Sequence, residues 1–176
     1  AARLIDLSEE ARHVVAGTTP QGALKLGSLE STTASRLPGL LAEFHRQYPD
    51  IRLELTTGTN DALVNAVSER RLDAAFIAER PSSHALAHMP VFRERLAVIS
   101  SLDHKPIRNS RDAEGQSLIA LPDGCAYRRS LQRWLRRDSL TTSRVLELSS
   151  YHAIVACVAA GAGIALMPEA VLDSMP

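Results

Sequence analysis

The stretch Glu147-Leu-Ser-Ser-Tyr-His-Ala-Ile-Val-Ala-Cys-Val-Ala-Ala-Gly-Ala-Gly-Ile-Ala-Leu-Met-Pro168 decides the fold. It holds a strand end, a helix cap, an apolar helix, a glycine stop and a second strand in one short span. Ser149 or Ser150 can cap the helix, whose apolar residues include Ile154, Val155 and Val158, and Gly161 and Gly163 end it. Residues 164–167 then read as a short buried strand, and Pro168 suits the first turn of a following helix. The span is one αβ unit. In a doubly wound sheet, the turn from strand to helix is where small molecules bind.

Working outward, strand and helix patterns alternate. Residues 23–28 form an apolar strand, followed by a helix with Leu37, Leu40, Leu41, Phe44 and Tyr48 along one face. Residues 51–57 alternate Ile, Leu and Leu with Arg, Glu and Thr, as a strand with one wet face does. Asn60 or Asp61 can cap a helix carrying Leu63, Val64 and Val67, and residues 74–78 form another short strand. The β-α-β-α-β order predicts a parallel sheet with right-handed crossovers. A second unit repeats the theme: strands at 96–100, 118–121 and 145–148, a helix at 126–137, and then the opening αβ unit. No sequence repeat relates the two units. Ahead of both, Leu4, Leu7, Ala11, Val14 and Val15 make a helical stripe that Gly17-Thr-Thr-Pro-Gln-Gly22 stops.

Composition narrows the function classes. Lys plus Arg and Asp plus Glu balance at 20 each, so the chain has no basic field of the kind that holds a phosphate backbone. No apolar run approaches a membrane span, and no basic-then-apolar leader opens the sequence. Cys125 and Cys157 have neither CxxC nor His-ligand spacing, which fits a reducing cytoplasm better than a disulfide framework.

Several of these segments together resemble the effector-sensing domain of LysR-type transcriptional regulators. The resemblance rests on Val158-Ala-Ala-Gly-Ala-Gly-Ile-Ala-Leu-Met-Pro168, on Gly22-Ala-Leu-Lys-Leu-Gly27, and on Leu37-Pro-Gly-Leu-Leu-Ala-Glu-Phe44 with Tyr48-Pro-Asp-Ile51. It continues through Leu72-Asp-Ala-Ala-Phe-Ile77, Pro90-Val-Phe-Arg-Glu-Arg-Leu-Ala-Val-Ile99 and His104-Lys-Pro106, and covers nearly the whole chain from Gly22 onward. It implies an α/β fold of two Rossmann-like lobes joined by crossing strands, periplasmic-binding-protein-like (type 2). Residues 1–21 would be the end of a linker helix and its turn. Residues 22–94 would form lobe I, completed in part by 166–176, and residues 95–165 lobe II. The crossings would lie near residues 79–96 and 166–171. The function implied is non-enzymatic: a small-molecule effector of unknown identity binds between the lobes, with no cofactor and no metal, and biases the attached DNA-binding modules. Implied partners are a homodimer or homotetramer, with DNA reached only through a winged helix-turn-helix outside this sequence and no membrane contact. The face of residues 37–44 would lie at a subunit interface or equally in the core of its own lobe.

Candidate effector contacts follow from the turns. Ser28-Leu-Glu-Ser-Thr-Thr33 closes the first strand and opens a helix, where hydroxyls and N–H groups can cradle an acceptor. Ordinary helix capping would use the same residues. The resemblance moves Ser31 and Thr32 towards effector contact beside Ser28, and Glu30 departs from the small or polar residues usual there, so it would repel a carboxylate or pair with an amine. Pro122-Asp-Gly-Cys-Ala-Tyr-Arg128 is the equivalent turn of the second lobe. Gly124 permits close backbone approach, Cys125, Ala126 and Tyr127 face the cleft or pack beneath it, and Arg128 can pair with Glu30 or an anionic effector. Ser149, Ser150 and Tyr151 complete the candidate pocket, and the resemblance favours Ser149 as a polar effector contact. Cys125 as a nucleophile would need a base such as His152, and free cysteine is usually a small apolar filler. Arg129, Arg133, Arg136 and Arg137 fall at helical spacing and read as a solvated face or, alternatively, an anion-binding surface. His84 and His88 read as surface residues, not metal ligands. Two rivals remain. A transport-type solute-binding protein would share the cleft, and a small Cys/Ser hydrolase lacks a Gly-x-Ser-x-Gly elbow here.

Overall fold

Strand β1 (Gly22–Ser28) lies between β2 (Ile51–Thr57) and β3 (Ala74–Phe76), parallel to both. Gly22 to Ser28 pairs with Ile51 to Thr57 residue for residue, and only Leu26 to Ser28 reaches β3. The computed structural model describes residues 20–81, 85–141 and 144–175. The amino-terminal helical stripe, His84 and Pro176 lie outside the described residues.

Two helices follow β1 where one is predicted. They are α1 (Glu30–Ser35) and α2 (Leu37–Gln47), separated at Arg36, whose φ of −117° breaks the regular turn just before Pro38 enters the first turn of α2. Leu37 is buried in its own lobe, whereas Leu40 is exposed. The helix α3 (Asn60–Ser68) is capped by Thr59, whose Oγ1 accepts the Ala62 N–H, and not by Asn60 or Asp61. Asn60 is occupied elsewhere: its Oδ1 accepts the N–H groups of both Ala78 and Glu79 at 3.1 Å, which ends β3 at Phe76, short of residue 78.

The second lobe contains β4 (Leu96–Ile99), β5 (Leu118–Ala120), β6 (Val145–Glu147) and β7 (Ala165–Pro168), in two two-stranded sheets. β5 pairs parallel with β6, a parallel bridge joins Leu118 to Ile164, and β7 pairs antiparallel with β4. That bridge sets the β5-β6 pair beside the β4-β7 pair. Leu118 and Ile119 point to opposite faces and both are buried, the reason this strand reads as an unbroken apolar run. Under α4 (Ala126–Arg136), Leu118 packs with Leu131, Leu135 and Ile164. Under α5 (Tyr151–Ala159), Ile119 packs with Ile154, Val158 and Met167. This second core runs on through Cys125, Tyr127 and Tyr151 to Leu29, Leu63 and Leu72 of the first lobe.

Ser150 is the N-cap residue of α5, and its side chain makes no capping hydrogen bond. Pro168 closes β7 and stands at the N-cap of α6 (Glu169–Asp173), one position before the predicted first turn. Helix α6 packs against α1, so the chain is back on the first lobe one residue after β7.

Candidate functional site

Three hydroxyl-bearing side chains meet where the lobes touch. Ser31, on the first turn of α1, lies with its Oγ 3.4 Å from the Tyr127 hydroxyl at the start of α4. Tyr151, at the start of α5, is buried in the same core, and burial raises both tyrosine hydroxyls above their ordinary range. Both tyrosines are therefore neutral hydrogen-bonding groups at any physiological pH. The space bounded by Cys125, Tyr127, Arg128 and Tyr151 amounts to about 10 Å³, room for one water at most.

Most of the residues predicted to touch an effector are committed to the protein itself. Ser28 is fully buried and its Oγ donates to the Leu29 carbonyl; Cys125 and Ala126 are core residues. Arg128 does not reach Glu30. Its guanidinium bonds the Leu121 carbonyl and the Glu147 and Asp123 carboxylates, locking the Pro122–Cys125 turn onto β6, and its Nε is buried without a partner. Gly124 has φ +88°, and a Cβ there would lie 3.0 Å from Thr59 Oγ1. The second-lobe turn thus rests on the cap of α3, leaving no gap for a ligand at that point. Ser149 and Glu30 are exposed.

Burial nonetheless pushes the Glu30 carboxyl above its ordinary value near 4.5, against an opposing pull from His152. A raised acid favours folding fully below about pH 4.5, and that contribution is lost as pH rises through the raised value. Glu30→Gln is therefore expected to raise Tm at pH 7 and to leave it unchanged near pH 3. Melting curves at the two pH values check this; equal shifts at both would mean a packing effect instead.

Open space lies on the crossing-segment side of the junction. A cleft of about 490 Å³ is walled by Leu29 and Thr32 of the first lobe, residues 76–81, residues 88–92, Glu94 and Leu96, and is closed by Tyr127 from the second lobe. That volume is in the range of small-molecule sites. Its wall is built by contacts across the crossing segment. The Phe76 and Phe92 rings stack at 5.9 Å, and Arg36 grips Glu94 with Nε at 2.8 Å and Nη2 at 3.2 Å. Thr32 is 8% exposed and lines this cleft. A second cleft of about 460 Å³ lies against Leu26, Val64 and Val67 on the first lobe and shares residues 88, 89 and 91 with the first.

At the far end of the junction the lobes are joined by charge. Arg129 of α4 grips the Asp61 carboxylate with both terminal nitrogens, at 2.8 and 3.1 Å, and the Glu79 carboxylate through Nε at 2.8 Å and Nη2 at 2.6 Å. Arg133 adds a bond to Glu79 at 3.0 Å. The Glu79 hydrogen bond holds the Arg129 guanidinium more firmly protonated than usual. Half of the predicted basic stripe is therefore an inter-lobe contact and not a solvated face. No sequence signal pairs Arg129 with Glu79, because the partners are distant in the chain and lie on different lobes. His88 is exposed and lines the cleft; among the described residues no group of His, Cys, Asp and Glu could hold a metal ion. No helix among them is long and apolar enough to cross a membrane.

Two α/β lobes, with helices on the faces of their sheets, enclosing a small-molecule-sized cleft beside their crossing segments, define a two-lobed ligand-binding domain. The chain belongs to the LysR substrate binding domain family, whose sequence pattern matches residues 17–176. It is 32% identical over 173 residues to the HTH-type transcriptional regulator GltR of Bacillus subtilis (strain 168), covering 98% of this chain and 58% of that protein. The chain thus spans a little over half the length of this curated relative. Its fold is similar to that of the BenM effector binding domain with its effector benzoate, with a TM-score of 0.72 at 22% identity over 90% of this chain and 74% of that one. It is also similar to the effector binding domain of QuiR in complex with shikimate, with a TM-score of 0.73 at 18% identity over 85% of this chain and 74% of that one.

Proposed function

We propose that this chain is the effector-sensing part of a LysR-type transcriptional regulator that binds a small organic molecule in the cleft beside Thr32 and Tyr127. The observation that carries the reading is the 490 Å³ cleft built from both lobes, with Thr32 on its wall. An effector there touches the first lobe through Leu29 and Thr32, the crossing segment through Phe76 and Phe92, and the second lobe through Tyr127. Occupancy is then worth different amounts in different lobe arrangements, the condition for a ligand to shift a conformational equilibrium. Arg80 stands at the rim, engaged in no ion pair among the described residues, and is a cation available to an acidic effector. Benzoate and shikimate, the ligands of the BenM and QuiR domains, are small acids and serve as first probes.

The signal passes to a DNA-binding module in a homodimer or homotetramer acting in the cytoplasm. The hydrolase alternative is not carried further: Cys125 is buried in the core, and no hydrogen bond joins it to His152 among the described residues.

Melting curves with benzoate, shikimate and a panel of small acids, amines and sugars test the reading. A ligand at about 100 times its Kd is expected to add roughly 2.7 kcal/mol, a rise in Tm of about 5–10 °C for a domain of this size. Thr32→Val, which keeps the shape and removes the hydroxyl, is expected to weaken any hit about tenfold by titration calorimetry. A hit with unchanged affinity in Thr32→Val moves the site away from this cleft.

A further inference from the structure

We infer that Arg129 is a latch that holds the two lobes together before any effector binds, so that the domain is closed by its own charges and must be unlatched to admit or release a ligand. The latch is the four-bond grip of Arg129 on Asp61 and Glu79, reinforced by Arg133 on Glu79. One guanidinium satisfies two carboxylates at once. Its planar fork meets both oxygens of Asp61 and directs two N–H groups onto Oε2 of Glu79, a geometry that a lysine does not reproduce.

Position makes this group a latch rather than a surface decoration. Asp61 is in the first turn of α3, and the Glu79 backbone N–H is itself held by Asn60, so both acids are fixed to the first lobe. Arg129 and Arg133 are one turn apart on α4 of the second lobe. Beside them, Gly124 sits against Thr59 and Tyr127 reaches Ser31 at 3.4 Å, and the apolar core continues through Cys125, Tyr127 and Tyr151 to Leu29 and Leu63, so the charged contact is the ionic, water-accessible part of the junction. Glu79 also lines the cleft, so separating it from Arg129 frees a carboxylate on the cleft wall. The Arg129 side chain is 32% exposed and Asp61 58% exposed, which leaves the latch accessible to water and able to open. In this arrangement effector affinity depends on residues that never touch the effector, because the same lobe separation that admits a ligand breaks the latch.

The inference rests on the two-lobe reading, but its test needs no effector. The chain has two lysines, Lys25 on β1 of the first lobe and Lys105 on the second, both exposed. With the α-amine capped at neutral pH, donor and acceptor dyes on these lysines report lobe separation by single-molecule energy transfer. The ligand-free protein is expected to show one transfer-efficiency population. Arg129→Ala is expected to produce a second population raised at least about fivefold over any trace of it in the parent chain. The paired Asp61→Asn and Glu79→Gln changes should do the same, and about 1 M salt should move the parent chain the same way, since the Debye length falls to about 3 Å. A single unchanged population in Arg129→Ala with native circular dichroism overturns the latch, while leaving effector binding in the cleft to its own titration. If Arg129→Ala does not fold, the salt titration of the parent chain decides: no second population at high salt overturns the inference.

Discussion

Gly163→Ala is expected to cost about 3 kcal/mol, lowering Tm by roughly 6–12 °C, and to be far worse than Gly161→Ala two residues earlier. A Cβ at Gly163 would lie 2.3 Å from the Ser117 carbonyl oxygen and 3.0 Å from its carbon, both backbone atoms. That oxygen already accepts the Ile164 N–H at 2.9 Å, and Ile119 donates in turn to the Ile164 carbonyl at 2.8 Å. These two bonds are the bridge that attaches β7 to β5. The backbone cannot retreat without giving them up, so the cost combines overpacking with lost hydrogen bonds in a fully buried strand. Gly161, with φ +81° and nothing within 4 Å of its would-be Cβ, carries only the left-handed backbone penalty of about 1 kcal/mol. Thermal melts of the two single variants separate the cases. Equal losses would mean that the Gly-Ala-Gly pattern serves helix termination alone, with no close approach of β7 to β5.

The difference between those two glycines shows how far the sequence can be read. Gly161 and Gly163 are both legible as a helix stop, and the stop is there; that one of them is a contact between strands depends on Ser117, far away in the chain. The strands were readable because burial on one or both faces writes itself into alternation or into apolar runs, as in β2 and β5. Caps were less readable. Asn60 is a better cap by residue type than its position requires, yet Thr59 caps α3, because the amide of Asn60 meets a larger demand from two backbone N–H groups beyond β3. The site was legible only in part. Ser31 and Thr32 do lie at the lobe junction, but Arg128, Cys125 and Ala126 serve the second lobe's interior. A turn at a strand's carboxyl end marks where a cleft opens without saying which side chains face it. The pairing of Glu79 with Arg129 was beyond reach for a further reason: each matters through a partner on the opposite lobe, and local patterns carry no information about that pairing.

Asn60→Ala is expected to cost about 2–3 kcal/mol and to weaken effector binding together with stability, whereas Asn60→Asp should be close to neutral in both. Asn60 is 4% exposed, and its Oδ1 is the acceptor for the Ala78 and Glu79 N–H groups. Alanine leaves two partly buried donors without an acceptor, the costly half of the hydrogen-bond asymmetry. Aspartate retains an oxygen in the same place and strengthens the pair of bonds with its charge, which offsets part of its greater desolvation. The functional consequence follows from what those two residues do. Ala78 and Glu79 open the segment that forms the cleft wall, and Glu79 is the acid shared by Arg129 and Arg133. Freeing their backbone therefore loosens the cleft and the inter-lobe contact by one change at a residue that touches neither the cleft nor an arginine. Melting curves of the two variants, with titration of whichever ligand raises the parent Tm, check the result. If Asn60→Asp fell as far as Asn60→Ala, the amide's own N–H₂ group, and not its oxygen, would be what the fold needs at this position.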